Sequence, residues 1–297
     1  MSEPPATSGR LLTGADIAGL LARYSHLPRK TLGQNFVADP NTIRRIVALA
    51  DLDARSSVVE IGPGLGSLTL GLAQVAGRVV AVEADPVLLE PLAETLSGAA
   101  ADTSIQVVSA DALELDWQAT LGTAQTRPGV RSEWDLVANL PYSVATALLL
   151  GVAEHAPMVR RGLVMVQREV GERWSAPPGS RTYGIPTVML ARWGTARIVA
   201  DVPRAVFVPR PRVDSVLVRF QRHDASPIPV DGVDDDRLDT VVRTAFGGRR
   251  KMLRRSLADL MGAEAIEAAG VDPTARPEQL ALADFCRLAA QLNRPAA

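Results

Sequence analysis

The sequence predicts an α/β protein: a mostly parallel sheet covered by helices, followed by a small all-helical C-terminal domain. Three observations predict it. From Ser57 onwards, short apolar runs alternate with helix-length segments, the pattern of a parallel sheet buried on both faces. The first run opens directly onto a glycine-rich turn, Gly62-Pro63-Gly64-Leu65-Gly66. After Asp224-Ala225-Ser226-Pro227-Ile228-Pro229, a linker-like stretch, the strand pattern stops and helical spacing takes over.

The elements follow in order. Residues 1–27 form an N-terminal extension, polar at first and then helical around Ile17 to Arg23. Strands are expected at Val58–Ile61, Val79–Glu83, Ile105–Ser109, Asp135–Ala138 and Gly162–Gln167. Helices are expected at Leu65–Gln74, Pro86–Leu96 and Val144–Glu154. Two later runs, Arg197–Val202 and Val213–Gln221, are expected to close the sheet as an antiparallel edge. Residues 28–223 then form the sheet domain. Residues 231–297 form the helical one, with helices near Asp234–Phe246, Arg249–Met261 and Pro277–Leu292.

Bulk properties narrow the function classes. The net charge of -1 gives no global nucleic-acid signature, so a polyanion site must come from a local cluster. A single cysteine, Cys286, excludes an intrachain disulfide framework. With His26, His155 and His223 scattered, no metal site is expected. The start lacks a basic, apolar secretory pattern. No apolar run reaches the roughly 20 residues of a membrane span. A soluble cytoplasmic protein is expected.

The chemistry sits at strand ends. Gly62, Gly64 and Gly66 let the backbone turn sharply and approach a ligand. A dinucleotide fingerprint would place glycine where Ser67 stands. The G-x-G-x-G spacing, preceded by Glu60, instead resembles the first motif of S-adenosylmethionine (SAM) methyltransferases. The next strand ends in Glu83, about 20 residues on, where a carboxylate accepts ribose hydroxyls. The third ends at Asp111, where a carboxylate accepts from an adenine amino group. Any one of these reads as readily as a tight turn or a helix cap. Three in order, at the ends of consecutive strands, favour a ligand site.

The fourth strand runs into Asn139-Leu140-Pro141-Tyr142. An adenine exocyclic amine is a poor nucleophile, because its lone pair is delocalised into the ring. An amide oxygen at Asn139 and a backbone carbonyl at Leu140 can accept its two N–H bonds and aim that lone pair. Pro141 stiffens the turn. Tyr142 offers a face on which an extruded base stacks.

These stretches, with "PRKTLGQNFVADP" at 28–40, "MVQREVGERWSAPPGSRTYG" at 165–184, "VPRAVFVPRPRVDSVLVRF" at 202–220 and "FGGRRKMLRRSL" at 246–257, resemble the bacterial small-subunit (16S) rRNA adenine dimethyltransferases, the KsgA/RsmA family. The resemblance implies a Rossmann-like SAM-dependent methyltransferase sheet with a small helical domain. It implies that Gln34, Asn35 and Val37 close over the cofactor and that Gly62 and Gly64 lie under its methionine part. Glu83 would bind its ribose and Asp111 its adenine, with Asn139 beside it. Asn139, Leu140 and Tyr142 would meet the target amine, and Phe207 would complete a stacking sandwich. The reaction implied is four methyl transfers onto two adjacent adenosines near the 3′ end of 16S rRNA, in a 30S precursor, by a monomer. Family members often read NLPY-N-I-S-T-P where this chain has Ser143-Val144-Ala145-Thr146-Ala147.

Two basic clusters suit RNA. Arg249, Arg250, Lys251, Arg254 and Arg255 are expected on one helix, with Arg250/Arg254 and Lys251/Arg255 as i,i+4 pairs. That helix's N-terminus would add amide donors for phosphate. Arg204, Arg210, Arg212, Arg219 and Arg222 surround Phe207 in sequence. Either cluster alone also reads as a solvated face. Two other functions stay open: a resistance-type methyltransferase of 23S rRNA, and a 30S assembly checkpoint that acts mainly by binding.

Overall fold

The structure is a computed structural model of the chain, and it describes residues 10–29, 33–97, 99, 103–124, 128–224, 233 and 235–292. Most of the expected linker, 225–230, lies outside the described residues. The chain packs as two units. One is Met1–Gly171 with Ile198–Gln221, and the other is Glu172–Arg197 with Arg222–Ala297.

In the first unit, α1 (Gly14–Arg23), β1 (Phe36–Val37) and α2 (Pro40–Ala50) precede the sheet. Then come β2 (Ser57–Ile61), α3 (Ser67–Ala73), β3 (Arg78–Glu83), α4 (Leu89–Leu96), β4 (Ser104–Ser109) and α5 (Trp117–Gly122). They are followed by β5 (Trp134–Asn139), α6 (Ala145–His155), β6 (Val159–Gln167) and α7 (Arg168–Trp174), which crosses into the second unit. α8 (Ile185–Trp193), β7 (Gly194–Val202), β8 (Phe207–Val208) and β9 (Ser215–Arg222) complete this half of the chain. Seven strands form one sheet in the order β4-β3-β2-β5-β6-β9-β7. The pairs β3–β4, β2–β3, β2–β5 and β5–β6 are parallel, and β9 runs antiparallel to β6.

The sequence explains the burial. The continuous runs of β2 and β3 are buried at every residue, as strands covered on both faces require. β4, on the sheet edge, is half-buried to exposed. Full burial of each Val or Ile in the central strands contributes roughly 1.5–3 kcal/mol. Strand order reverses about β2, between β3 and β5. Open α/β sheets bind ligands at such switch points, beyond the carboxyl ends of the strands.

Several features depart from expectation. The extension is not separate: Ile17 and Leu20 of α1 are buried in the core of the first unit. α2 was not expected, although Asp39-Pro40 announces it. The Asp39 side chain accepts from the Asn41 and Thr42 amides, and Pro40 sits in the first turn. β1 and β8 pair antiparallel, Phe36 opposite Val208 and Val37 opposite Phe207, as a separate two-stranded sheet. The helical unit does not begin at 231. It takes in residues 172–197, which were assigned to the sheet domain. Tyr183 and Val188 share its core with Leu238, Val242, Phe285 and Leu288. Its other elements are α9 (Asp235–Gly247), α10 (Leu253–Ser256), α11 (Ala263–Ala268) and α12 (Leu282–Gln291).

Candidate active site

A cavity of about 220 Å³ opens at the carboxyl ends of β2, β3, β4 and β5. Gln34, Asn35, Val37, Gly62, Gly64, Glu83, Asp111 and Asn139 all line it. Four separate strand ends and the segment before α2 therefore converge on one concavity.

The glycine turn makes its floor. Gly62 and Gly64 have φ of 69° and 59°, which favours residues without a Cβ. A Cβ on Gly64 would also lie 2.9 Å from the ring of Phe36. Phe36 is itself buried and lines the cavity, so the segment 33–37 is pressed onto this turn.

Glu83 is 6% exposed and accepts two backbone amides, Gly64 to Oε2 at 3.0 Å and Asp85 to Oε1 at 2.8 Å. A carboxylate offers about four acceptor positions, so both oxygens keep capacity for hydroxyl donors. Burial pushes its acid up above the ordinary value, while the amide bonds from Asp85 and Gly64 pull it down. Asp111 is exposed at the rim, and its Oδ1 accepts from the Leu113 amide at 2.9 Å.

Asn139 has the most telling geometry. Its Nδ2 donates to the Asn35 carbonyl at 3.1 Å. A carbonyl only accepts, so the amide orientation is fixed. The other end, Oδ1, is buried and has no hydrogen-bond partner. A buried orphan acceptor costs about 1–3 kcal/mol, and it asks for a donor from outside the protein. Ser67 Oγ, also on the cavity wall, is a second buried atom without a partner.

The remaining candidates do not line the cavity, although Asn139, Pro141 and Ser143, the chain neighbours of Leu140 and Tyr142, do. The Leu140 side chain is 1% exposed in the core, and its amide donates to the Met165 carbonyl at 3.1 Å. Tyr142 is half-buried, its hydroxyl 2.9 Å from Ser215 Oγ. Phe207 is 2% exposed, packed in the core and paired with Val37. It presents no open face here, because β8 turns the aromatic ring inward.

The basic clusters are also rearranged. Residues 248–251 form turns, and only Leu253–Ser256 is helical. Arg250/Arg254 and Lys251/Arg255 therefore do not share a helix. Met252 breaks it with an extended backbone, ψ 150°. Nor are that helix's first amides open to phosphate: Leu253 donates to the Ala275 carbonyl and Arg254 to that of Pro273. Arg250, Lys251, Arg254 and Arg255 are exposed, while Arg249 is half-buried and donates to the Arg181 carbonyl at 2.6 Å. In the other cluster Arg210 and Arg212 are both exposed. Arg219 turns inward onto the Leu49 carbonyl, and Arg222 is buried.

Sequence reasoning passed over Asp85, which is 2% exposed on the cavity wall. Its position before Pro86, as the cap of a 3₁₀ turn, is the signal that marks it. It also used Glu60 only as part of the glycine motif. Glu60 is 1% exposed and accepts from Thr69 Oγ1 at 2.6 Å. Burial raises its pKa to about 8, against the Thr69 bond and with a small push from Glu83. The native state thus holds this proton to higher pH than the unfolded chain, so stability falls as pH rises from about 4.5 to about 8. Glu60→Gln keeps an acceptor for Thr69 and cannot ionise. Calorimetric melting from pH 5 to pH 8 is expected to show a decline smaller in the variant by at least about 3 °C. Equal declines would mean that Glu60 stays ionised.

Among the described residues no three His, Cys, Asp or Glu side chains are grouped to hold a metal. Among them, too, no helix is long and apolar enough to cross a membrane.

Known proteins resemble this arrangement throughout. A ribosomal RNA adenine dimethylase family model matches residues 25–294. A ribosomal RNA small subunit methyltransferase A of Kineococcus radiotolerans is 50% identical, over 96% of this chain and 92% of that protein. One of Leifsonia xyli is 48% identical, over 95% and 99%. Among solved structures, the 23S rRNA methyltransferase ErmE superposes with a TM-score of 0.61 at 30% identity, covering 88% of this chain and all of that one. A dimethyladenosine transferase of Plasmodium falciparum, at 21% identity and TM-score 0.67 over 85% and 95%, shows the same fold. With a matched model running from before β1 to the end of α12, and relatives this similar along nearly their whole length, the chain belongs to the ribosomal RNA adenine dimethylase family.

Proposed function

We propose that this chain dimethylates the exocyclic amines of two adjacent adenosines near the 3′ end of 16S rRNA, within a precursor of the 30S subunit, and so contributes to small-subunit maturation. It acts in the cytoplasm, as a monomer. The observation that carries the reading is the buried, unpartnered Oδ1 of Asn139 on the cavity wall. A fixed acceptor without a donor matches an amine that must be held by its N–H bonds.

S-adenosylmethionine is the cofactor. The cavity fits it: Glu83 supplies hydroxyl acceptors, Ser67 an orphan hydroxyl, and Phe36, Ile61, Leu88 and Leu148 an apolar lining. When bound, it supplies a methyl group on a sulfonium whose departure as a neutral thioether needs no acid. The chain's own work is positioning. Asn139 Oδ1 and the Leu140 carbonyl hold the amine so that its lone pair points at the methyl carbon. Tyr142 supports the base by stacking. Its hydroxyl, fixed on Ser215, limits how the ring can turn.

The names of the relatives favour the small subunit: those at 50% and 48% identity are small-subunit enzymes, against 30% for the 23S enzyme ErmE. The test is methyl transfer from labelled SAM to undermethylated 30S subunits and to 50S subunits, with digestion of the products. Dimethyladenosine in 16S rRNA is expected. Label confined to 23S rRNA would support the other methyltransferase reading. Tight 30S binding without label would support an assembly checkpoint.

The exposed arginines supply phosphate contacts. Changing Arg250, Arg254 and Arg255 to Ala is expected to weaken 30S binding and to lower its salt slope by up to about one per lost contact. SAM affinity is expected to be unchanged. An unaltered salt slope would show that this loop does not touch RNA.

A further inference from the structure

We propose that His26, Arg29 and Gln34 form a strap that sets SAM affinity by fixing Asp85 and through it Glu83, the Gln34 amide being held by protein partners rather than by SAM. The proposal rests on reading the cavity as the SAM site.

The strap is a connected set of hydrogen bonds in the first unit. The Gln34 side chain is used at both ends. Its Oε1 accepts from the Arg29 amide at 2.8 Å and lies 3.0 Å from His26 Nε2. Its Nε2 donates to Asp85 Oδ2 at 2.8 Å. The amide cannot be turned over, because nitrogen must face the carboxylate and oxygen must face the Arg29 N–H. Gln34 Oε1 only accepts, so His26 Nε2 carries the proton in this contact. Arg29 adds a guanidinium 3.4 Å from Asp85 Oδ1. Asp85 passes the constraint on: its own amide donates to Glu83 Oε1, and Glu83 Oε2 takes the Gly64 amide.

Burial makes the connection stiff. His26, Asp85 and Glu83 are 6%, 2% and 6% exposed. At the other end α1 is anchored by Ile17 and Leu20 in the core. Arg23 and Tyr24 both bond Glu94 of α4, the Tyr24 hydroxyl at 2.8 Å. Gln34 is thus a buckle rather than a free hand for the cofactor. His26, Arg29, Gln34 and Asp85 are positioning residues, and the role of the N-terminal extension is to hold the first of them in place.

The test uses polarity reversal in the full chain. Gln34→Glu sets two carboxylates against each other, and SAM affinity by calorimetry is expected to fall by about tenfold or more. Asp85→Asn alone leaves two amide groups facing each other and is expected to cost severalfold. The double variant, Gln34→Glu with Asp85→Asn, restores a donor–acceptor pair with its polarity reversed. The amide nitrogen introduced at position 85 donates to the carboxylate introduced at position 34, while the amide oxygen at position 85 keeps the Val87 N–H bond that Asp85 Oδ1 accepts at 3.2 Å in the wild type. Affinity is then expected to return to within about threefold of the wild type. His26→Ala is expected to weaken SAM binding about threefold to tenfold. Melting of the SAM-free variants is measured alongside. A merely structural role would lower the melting temperature of the single variants, restore it in the double variant and leave affinity untouched throughout. Unchanged affinity in Gln34→Glu, or a double variant as weak as the sum of its parts, overturns the strap. A wild-type chain that does not bind SAM overturns the cavity reading itself.

Discussion

Asn139→Ala is expected to lower the single-turnover rate of 30S methylation, at saturating SAM, by about 10² to 10³. The reasoning begins with the orphan Oδ1. An acceptor held buried and unpaired is preorganised, so no rearrangement is needed when the amine develops charge. Its loss falls on the transition state, and turnover drops while substrate binding persists through the exposed arginines. 30S affinity is therefore expected to stay within about twofold. Asn139→Asp separates two effects. It keeps an acceptor for the amine but sets an oxygen against the Asn35 carbonyl, where Nδ2 now donates at 3.1 Å. The segment 33–37 loses that tie, so this variant is expected to show intermediate turnover with a raised KM for SAM. An Asn139→Ala enzyme with the wild-type single-turnover rate would refute the alignment role.

The parts of this site that were legible in the sequence are those set by local chemistry. A glycine turn after a buried strand, and acids or amides at successive strand ends, follow from period and spacing alone. Glu83, Asp111 and Asn139 accordingly stand together on one cavity wall. The parts that were not legible depend on pairing across the chain. Phe207 is a large aromatic in a turn, and nothing nearby says whether its ring faces a ligand or the core. Its burial is decided by Val37, its partner in β1·β8, which lies far away in the sequence. Gln34 could be seen to sit near the site, but not that both ends of its amide are taken by Arg29, His26 and Asp85. The basic loop misled for a different reason. Its arginines have helical spacing, yet Gly247-Gly248 and the extended Met252 end the helix before they can share a face. Residues 172–197 were assigned to the wrong unit because alternation of strand and helix continues through them, whereas their apolar side chains pack with α9 and α12.

Glu83 carries the last prediction, and its isosteric replacement is the informative one. Glu83→Ala removes the acceptor for the ribose hydroxyls and orphans the Gly64 and Asp85 amides. Hydrogen bonds to a charged group contribute about 1.5–3 kcal/mol each, so SAM affinity is expected to fall at least about tenfold. Glu83→Gln is expected to do no better. Both carboxylate oxygens now accept from backbone N–H groups, at 2.8 and 3.0 Å. A glutamine has only one oxygen, so its NH₂ must face one of those donors. Ribose contacts are alike in the ground and transition states, so KM should rise while kcat stays within about threefold. Acidity adds a second signature. Burial raises the Glu83 acid above its ordinary 4.5, and hydroxyl donors and a cationic sulfonium both favour the ionised form. Wild-type affinity is therefore expected to weaken on acidification, with a midpoint above 4.5. The Gln variant, which cannot titrate, should lack that limb. Calorimetric titration of SAM into both proteins across roughly pH 5 to 8 checks this. A Gln variant that binds as tightly as the wild type, or that keeps the acid limb, would show that Glu83 does not hold the ribose.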